Sequence, residues 1–131
     1  MNDLFDIAAT DGIEVIYKNV PASGSISMDG YICMDYSLLC GGADERVHLA
    51  HEIGHCVTGA FYNRFSPNDI RQRYENRADR WAINELIPEN KLIEAIETGH
   101  TEPWDLAEYF NVTQPFIEKA IGYYQMKEAQ I

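Results

Sequence analysis

Apolar positions along the first forty residues fall in short runs, and after Gly42 they recur at steps of three and four. The two spacings belong to different elements, because a strand alternates faces every residue and a helix returns to one face about every 3.6 residues. Residues 3–9 are compatible with a short helix ahead of the Asp11-Gly12 turn, and the β-rich Ile13-Glu14-Val15-Ile16-Tyr17 reads as a strand. Ser25-Ile26-Ser27-Met28 and Tyr31-Ile32-Cys33-Met34 flank Asp29-Gly30, a two-residue hairpin signal. From Ala43, Val47, Ala50, Gly54 and Val57 mark a helix with Gly59 as its stop. A second helix is predicted from about Ser66-Pro67-Asn68-Asp69 to Leu86, ended by Pro88, and a third over 89–98, ended by Gly99. Thr101-Glu102-Pro103 opens a fourth through Phe110, and Thr113-Gln114-Pro115 opens a last one carrying Phe116, Ala120 and Tyr123.

The class implied is α+β: a small, mostly antiparallel sheet packed on a helical layer. At 131 residues the chain has the size of one domain. We divide it into a mainly β part (1–42), helices bearing the chemistry (43–98) and a C-terminal helical pair (99–131).

The chemistry concentrates at His51-Glu52-Ile53-Gly54-His55. Residues four apart on a helix share a face, so both imidazoles can reach one ion. Zinc takes neutral imidazole nitrogen at about 2.0–2.1 Å in a tetrahedral shell. Glu52, one position along, flanks the ion, where a base must stand to take a proton from a polarised water. Chance alone yields this motif in a chain this short about once in a few hundred. Weight therefore falls on the next helix, which carries Glu75-Asn76-Arg77-Ala78-Asp79. A catalytic zinc site needs three protein ligands and an open position. With the two helices packed as an antiparallel hairpin, Glu75 supplies the third. Asp79, one turn on, is placed to accept the other ring N–H of a ligating histidine, His51 in particular. The alternative is that Glu75 and Asp79 lie on a solvated face, paired with Arg71 and Arg80.

Charge and cysteine usage remove other classes. The net charge of −11 is wrong for a nucleic-acid binder, which needs a basic face. From Trp81 onward the chain carries nine acids and three bases, a local net of −6, so the C-terminal pair does not read as a DNA-binding helix-turn-helix. Arg64, Arg71, Arg73, Arg77 and Arg80 form a basic stretch that reads as a solvated helix face. Cys33, Cys40 and Cys56, odd in number and without a C-x-x-C pair, are expected to be reduced and at least partly buried. No run is long enough for a membrane span and the N-terminus lacks a signal-peptide pattern, so a cytoplasmic location is expected.

The motif followed by Glu75-x-x-Ala78-Asp79 resembles the gluzincin zinc peptidases. Its context is similar to the ImmA/IrrE family among them. Leu49-Ala50 precedes the motif, Glu75-Asn76-Arg77-Ala78-Asp79-Arg80-Trp81-Ala82 and Leu86-Ile87-Pro88 follow it, and Leu106-Ala107-Glu108-Tyr109-Phe110-Asn111-Val112-Thr113 resembles the family's C-terminal segment. The resemblance implies one zinc ion on His51, His55 and Glu75, with Glu52 as base. It implies a protein substrate, a DNA-binding repressor with a helix-turn-helix domain, cut in a regulatory switch of a phage or mobile element.

A tetrahedral oxyanion needs a donor besides the metal. Tyr109, Tyr123, His100 and the Arg64–Arg80 group are candidates that the sequence does not rank. His48, one turn ahead of His51, is expected to lie too far along the helix axis to share the ion and reads as an ordinary polar residue. A second function stays open: a zinc-bearing anti-repressor that acts by binding, without significant hydrolysis. The intact Glu52 favours the peptidase.

Overall fold

The computed structural model describes residues 2–20, 23–39 and 41–129. Among them it is α+β: helix α1 (Asn2–Thr10), strands β1 (Glu14–Lys18), β2 (Ser25–Met28) and β3 (Tyr31–Asp35), a 3-10 turn over Tyr36–Leu38, then α2 (Ala43–Thr58), α3 (Asn68–Leu86), α4 (Glu89–Glu97), α5 (Pro103–Phe110) and α6 (Gln114–Ala129).

The sheet has the order β1-β3-β2 and is mixed. β2 and β3 form the antiparallel hairpin, with Met28 opposite Tyr31 and Gly30 at a φ of +84° in the turn. β1 lies parallel to β3, Val15 opposite Ile32 and Tyr17 opposite Met34, where an antiparallel neighbour was expected. The reason is connectivity. Ile32 and Met34 of the central strand are fully buried, and the chain reverses once between β1 and β2 and again in the hairpin, so a strand on the free edge of β3 runs parallel to it.

Ile32 and Met34 meet Leu49 and Ile53 of α2, Ile83 of α3, Ile87, Leu106 of α5 and Ile117 of α6 in one core. Each such large aliphatic side chain, fully buried, contributes about 1.5–3 kcal/mol. The helix ends follow their punctuation. Gly59 caps α2 in the left-handed region at a φ of +67°, and Ala60 N–H bonds back to the His55 carbonyl at 3.0 Å. Pro67 and Pro88 sit just ahead of α3 and α4, and Asn111 caps α5 at a φ of +55°. Tyr124 Oη donates to the Ile87 carbonyl at 2.7 Å, tying α6 to the joint between α3 and α4.

The contacts between α2 and α3 run in opposite senses: 51 faces 79 and 55 faces 75. The two helices are therefore antiparallel, and their backbones come close at Gly54, where a Cβ would meet the Ala78 carbonyl oxygen at 2.6 Å. Cys33 and Cys56 are free thiols and half-buried, and Cys40 lies outside the described residues. Among the described residues no helix is long and apolar enough to cross a membrane.

Candidate metal centre

Helix α2 turns His51 and His55 toward α3, and α3 returns Glu75 to them. Glu75 Oε2 lies 2.7 Å from His51 Nε2 and 3.3 Å from His55 Nε2. One ligand atom from each residue lies within 4.8 Å of the other two, so the group could hold a metal ion.

The remaining atoms of these side chains test the fit. His51 Nδ1 is 2.8 Å from Asp79 Oδ1, and His55 Nδ1 is 2.6 Å from the Ala60 carbonyl. A carbonyl and a carboxylate only accept, so each Nδ1 carries hydrogen; without an ion each Nε2 also donates to Glu75 Oε2, and a ring that gives up that hydrogen aims its Nε2 lone pair at the same point. Tyr62 Oη donates to Glu75 Oε1, leaving Oε2 for the centre. Ligands at about 2.05 Å on a tetrahedron stand about 3.3 Å apart. The His55–Glu75 separation of 3.3 Å already has this value, the His51–Glu75 separation of 2.7 Å needs to widen by about half an ångström, and the three atoms, all within 4.8 Å of one another, close on one ion by small side-chain rotations. The donor set fits a divalent ion.

The electrostatics make the same demand. Burial pulls the His51 pKa down, but hydrogen bonds to Asp79 and Glu75 and the charges of Asp79 and Glu52 outweigh it and raise it to about 10. His55 is raised too, burial again opposing and Glu75 and the Ala60 carbonyl prevailing. Burial alone would raise Glu75, yet hydrogen bonds from His51, His55 and Tyr62 hold it well below the usual carboxylate range. Asp79 is lowered in the same way against its burial, by His51 and by Lys119, whose Nζ lies 3.0 Å from Asp79 Oδ2. The hydrogen bond to Glu75, then burial, pushes Tyr62 up to about 12. Two ionised carboxylates thus face this point and favour positive charge there.

Glu52 is buried beside the centre without belonging to the ligand group. Its Oε2 accepts from Ser25 Oγ of β2 at 2.7 Å, and the same Oγ lies 2.8 Å from His48 Nδ1. Oε1 makes no hydrogen bond among the described residues. A cleft of about 660 Å³ opens over the centre, lined by His48, His51, Glu52, His55, Tyr62 and Glu75 among others.

Other residues singled out in the sequence lie elsewhere. Tyr109, Tyr123, His100 and Arg64, Arg71, Arg73, Arg77 and Arg80 do not line this cleft. His100 pairs with Asp105 at 2.9 Å and stacks on Tyr109. Arg71 reaches back to the carbonyls of Arg64 and Ser66, bracing the connection before α3. His48 is no ordinary surface residue: it lines the cleft, bonded to Ser25. Sequence reasoning missed Tyr62, Ser25 and Lys119. Tyr62 and Ser25 reach the site from a loop and from a strand, where no helical period points at them.

A family model for the IrrE N-terminal-like domain of peptidase family M78 matches residues 43–121, from the start of α2 into α6. A comparison with curated proteins finds no match. The matched segment covers more than half of the chain and holds His51, Glu52, His55, Glu75 and Asp79. By that match the chain belongs to peptidase family M78, and residues 43–121 are an IrrE N-terminal-like domain.

Proposed function

We propose that the chain is a zinc-dependent endopeptidase in which His51, His55 and Glu75 hold the metal, Asp79 orients His51, and Glu52 is the general base. The observation that carries this reading is the aim of the three side chains: both Nε2 atoms and one Glu75 oxygen converge while every other polar atom of the three is held by Asp79, Ala60 or Tyr62. Two neutral imidazoles and one carboxylate leave a zinc centre with net positive charge, the ligand set of an open catalytic site.

Bound zinc would supply a Lewis acid that polarises the scissile carbonyl and brings the pKa of a water toward about 7. The chain's own groups do the rest. Glu52, anchored through Oε2, offers Oε1 to take the water's proton and then deliver it to the leaving amine. Asp79 and the Ala60 carbonyl fix the ring tautomers and orientations, and Tyr62 stops Glu75 from turning away. None of the oxyanion donors left open by the sequence lines the cleft; Tyr62 does, but its one hydroxyl hydrogen goes to Glu75 Oε1, so to serve an oxyanion it would have to leave that carboxylate.

The substrate in this reading is a helix-turn-helix DNA-binding repressor, cut in a regulatory switch of a phage or mobile element in the cytoplasm. The resemblance to the ImmA/IrrE family supports that choice. The test is to co-express the chain with its cognate repressor and follow the repressor by intact mass. Fragments with wild type and none with Glu52→Gln, at equal zinc content, are expected. Release of the repressor from its DNA with no fragment from wild type would overturn hydrolysis in favour of action by binding. A one-to-one zinc content, lost in His55→Ala and in Glu75→Ala, checks the ligands separately.

A further inference from the structure

Glu52 is buried and held to the sheet by a single hydrogen bond, and the residue that makes it has a second partner. We infer that Ser25 is a positioning residue for the base: clamped by His48, it pins Glu52 Oε2 so that Oε1 faces the cleft. This rests on the peptidase reading above.

The argument begins with hydrogen counting. A carboxylate only accepts, so the one Ser25 hydroxyl hydrogen goes to Glu52 at 2.7 Å. Ser25 Oγ then has only lone pairs for His48 Nδ1 at 2.8 Å, so Nδ1 must be the donor. The order is fixed as His48 Nδ1–H to Ser25 Oγ–H to Glu52 Oε2, with no proton transferred along it. A serine hydroxyl rotates freely when alone. With one donor behind it and one acceptor ahead, it is confined to a single orientation, and so is the carboxylate.

The backbone makes room for this arrangement. Gly24, at a φ of +79°, lies under the His48 ring, and a Cβ there would stand 3.0 Å from His48 Cε1. A side chain there would be strained by the dihedral and would press the His48 ring aside by a few tenths of an ångström, so glycine suits both. The segment entering β2 is held on its far side by Asp35 N–H to the Gly24 carbonyl at 2.7 Å and by Ser23 Oγ to the Ser25 carbonyl at 2.8 Å. Ser25 is itself buried, 7% exposed, so water does not readily replace it as donor. Misplacing a reacting group by about 1 Å can cost 100-fold in rate. A loosened Glu52 is such a misplacement.

Two measurements on the full chain test the inference. The first needs neither metal nor substrate: long-range ¹H–¹⁵N correlation of the imidazoles reads the neutral His48 tautomer. Nδ1–H is expected in wild type and its loss in Ser25→Ala; Nε2–H in wild type overturns the bridge. The second uses the repressor of the preceding test. Ser25→Ala is expected to lower kcat about 10- to 100-fold with KM and zinc content unchanged. Ser25→Thr, which keeps the hydroxyl on a β-branched residue suited to a strand, restores most of the rate and guards against a folding defect in the alanine variant. A fall in zinc content or a rise in KM that accounts for the loss would reduce Ser25 to a structural residue. If wild type cleaves nothing, the peptidase reading fails while the tautomer measurement still decides the bridge.

Discussion

Replacing Gly54 with alanine tests the link between helix packing and the proposed metal centre. Alanine for glycine inside a helix ordinarily stabilises by about 0.8–1.0 kcal/mol. Here the new Cβ would stand 2.6 Å from the Ala78 carbonyl oxygen, 3.1 Å from its Cα and 3.3 Å from its carbonyl carbon. All three are backbone atoms of α3, so no rotamer relieves the clash. Reaching an ordinary contact of 3.4 Å requires α2 and α3 to part by about 0.8 Å. Overpacking of this kind costs about 3 kcal/mol at its upper end. Net of the propensity gain, the loss is about 2 kcal/mol, a fall of roughly 8 °C in the unfolding midpoint for a domain of this size. Glu75 lies on α3 less than one turn before Ala78, so it recedes from both imidazoles by a similar distance. The His51–Glu75 pair, at 2.7 Å, has about half an ångström to widen, but the His55–Glu75 pair, already at 3.3 Å, has none, and zinc bonds tolerate only about 0.2 Å. Zinc affinity should therefore drop at least about tenfold, the size of effect seen when ligand support is lost. Calorimetric unfolding and competitive zinc titration measure the two quantities. Adding Ala78→Gly should not rescue either, because the obstructing atoms are main chain, and should cost about 0.5–1 kcal/mol more. An unchanged or higher midpoint with zinc affinity within twofold of wild type would refute the reasoning.

Asp79→Ala should weaken zinc binding about 10- to 100-fold by freeing the His51 ring, whereas Lys119→Ala, which removes an exposed partner of the same carboxylate, should leave it within about twofold; competitive titration compares them. Zinc uptake should release about one to two protons at pH 7, because His51, raised to about 10, and His55, raised likewise, must give up hydrogen to ligate. Calorimetry in buffers of different ionisation enthalpy counts those protons, and none released would contradict the site electrostatics. The sign for stability follows: in metal-free protein the contribution of His51 is complete below its ordinary value of 6.5 and is lost as pH climbs through about 10. Thermal midpoints of the metal-free chain should fall over that interval.

The sequence exposes the parts of this site that helical period can carry. His51 and His55 share a face because they are four apart, and Glu75 and Asp79 repeat that spacing on the partner helix. Helix ends at Gly59, Pro67 and Pro88 were legible for the same local reason. What the sequence hides is set by long-range placement. The parallel pairing of β1 with β3 depends on which edge the first strand takes once the hairpin has formed. Ser25 and Tyr62 gain meaning only when β2 and the loop after α2 come to lie beside the same helix. The Ala60 carbonyl has no side-chain signature at all. His48 shows the limit from the other direction: its helical position excludes it from the ligand group, and only the tertiary structure reveals the serine it holds.

The two imidazoles are steadied by unlike means. One leans on the carboxylate of residue 79, which a single codon change deletes; the other leans on main chain at residue 60, which every amino acid brings. Selection for altered metal preference will therefore find its adjustable screw at Asp79. The His55 side should stay rigid under random mutagenesis, except at Gly59, whose left-handed turn delivers that carbonyl.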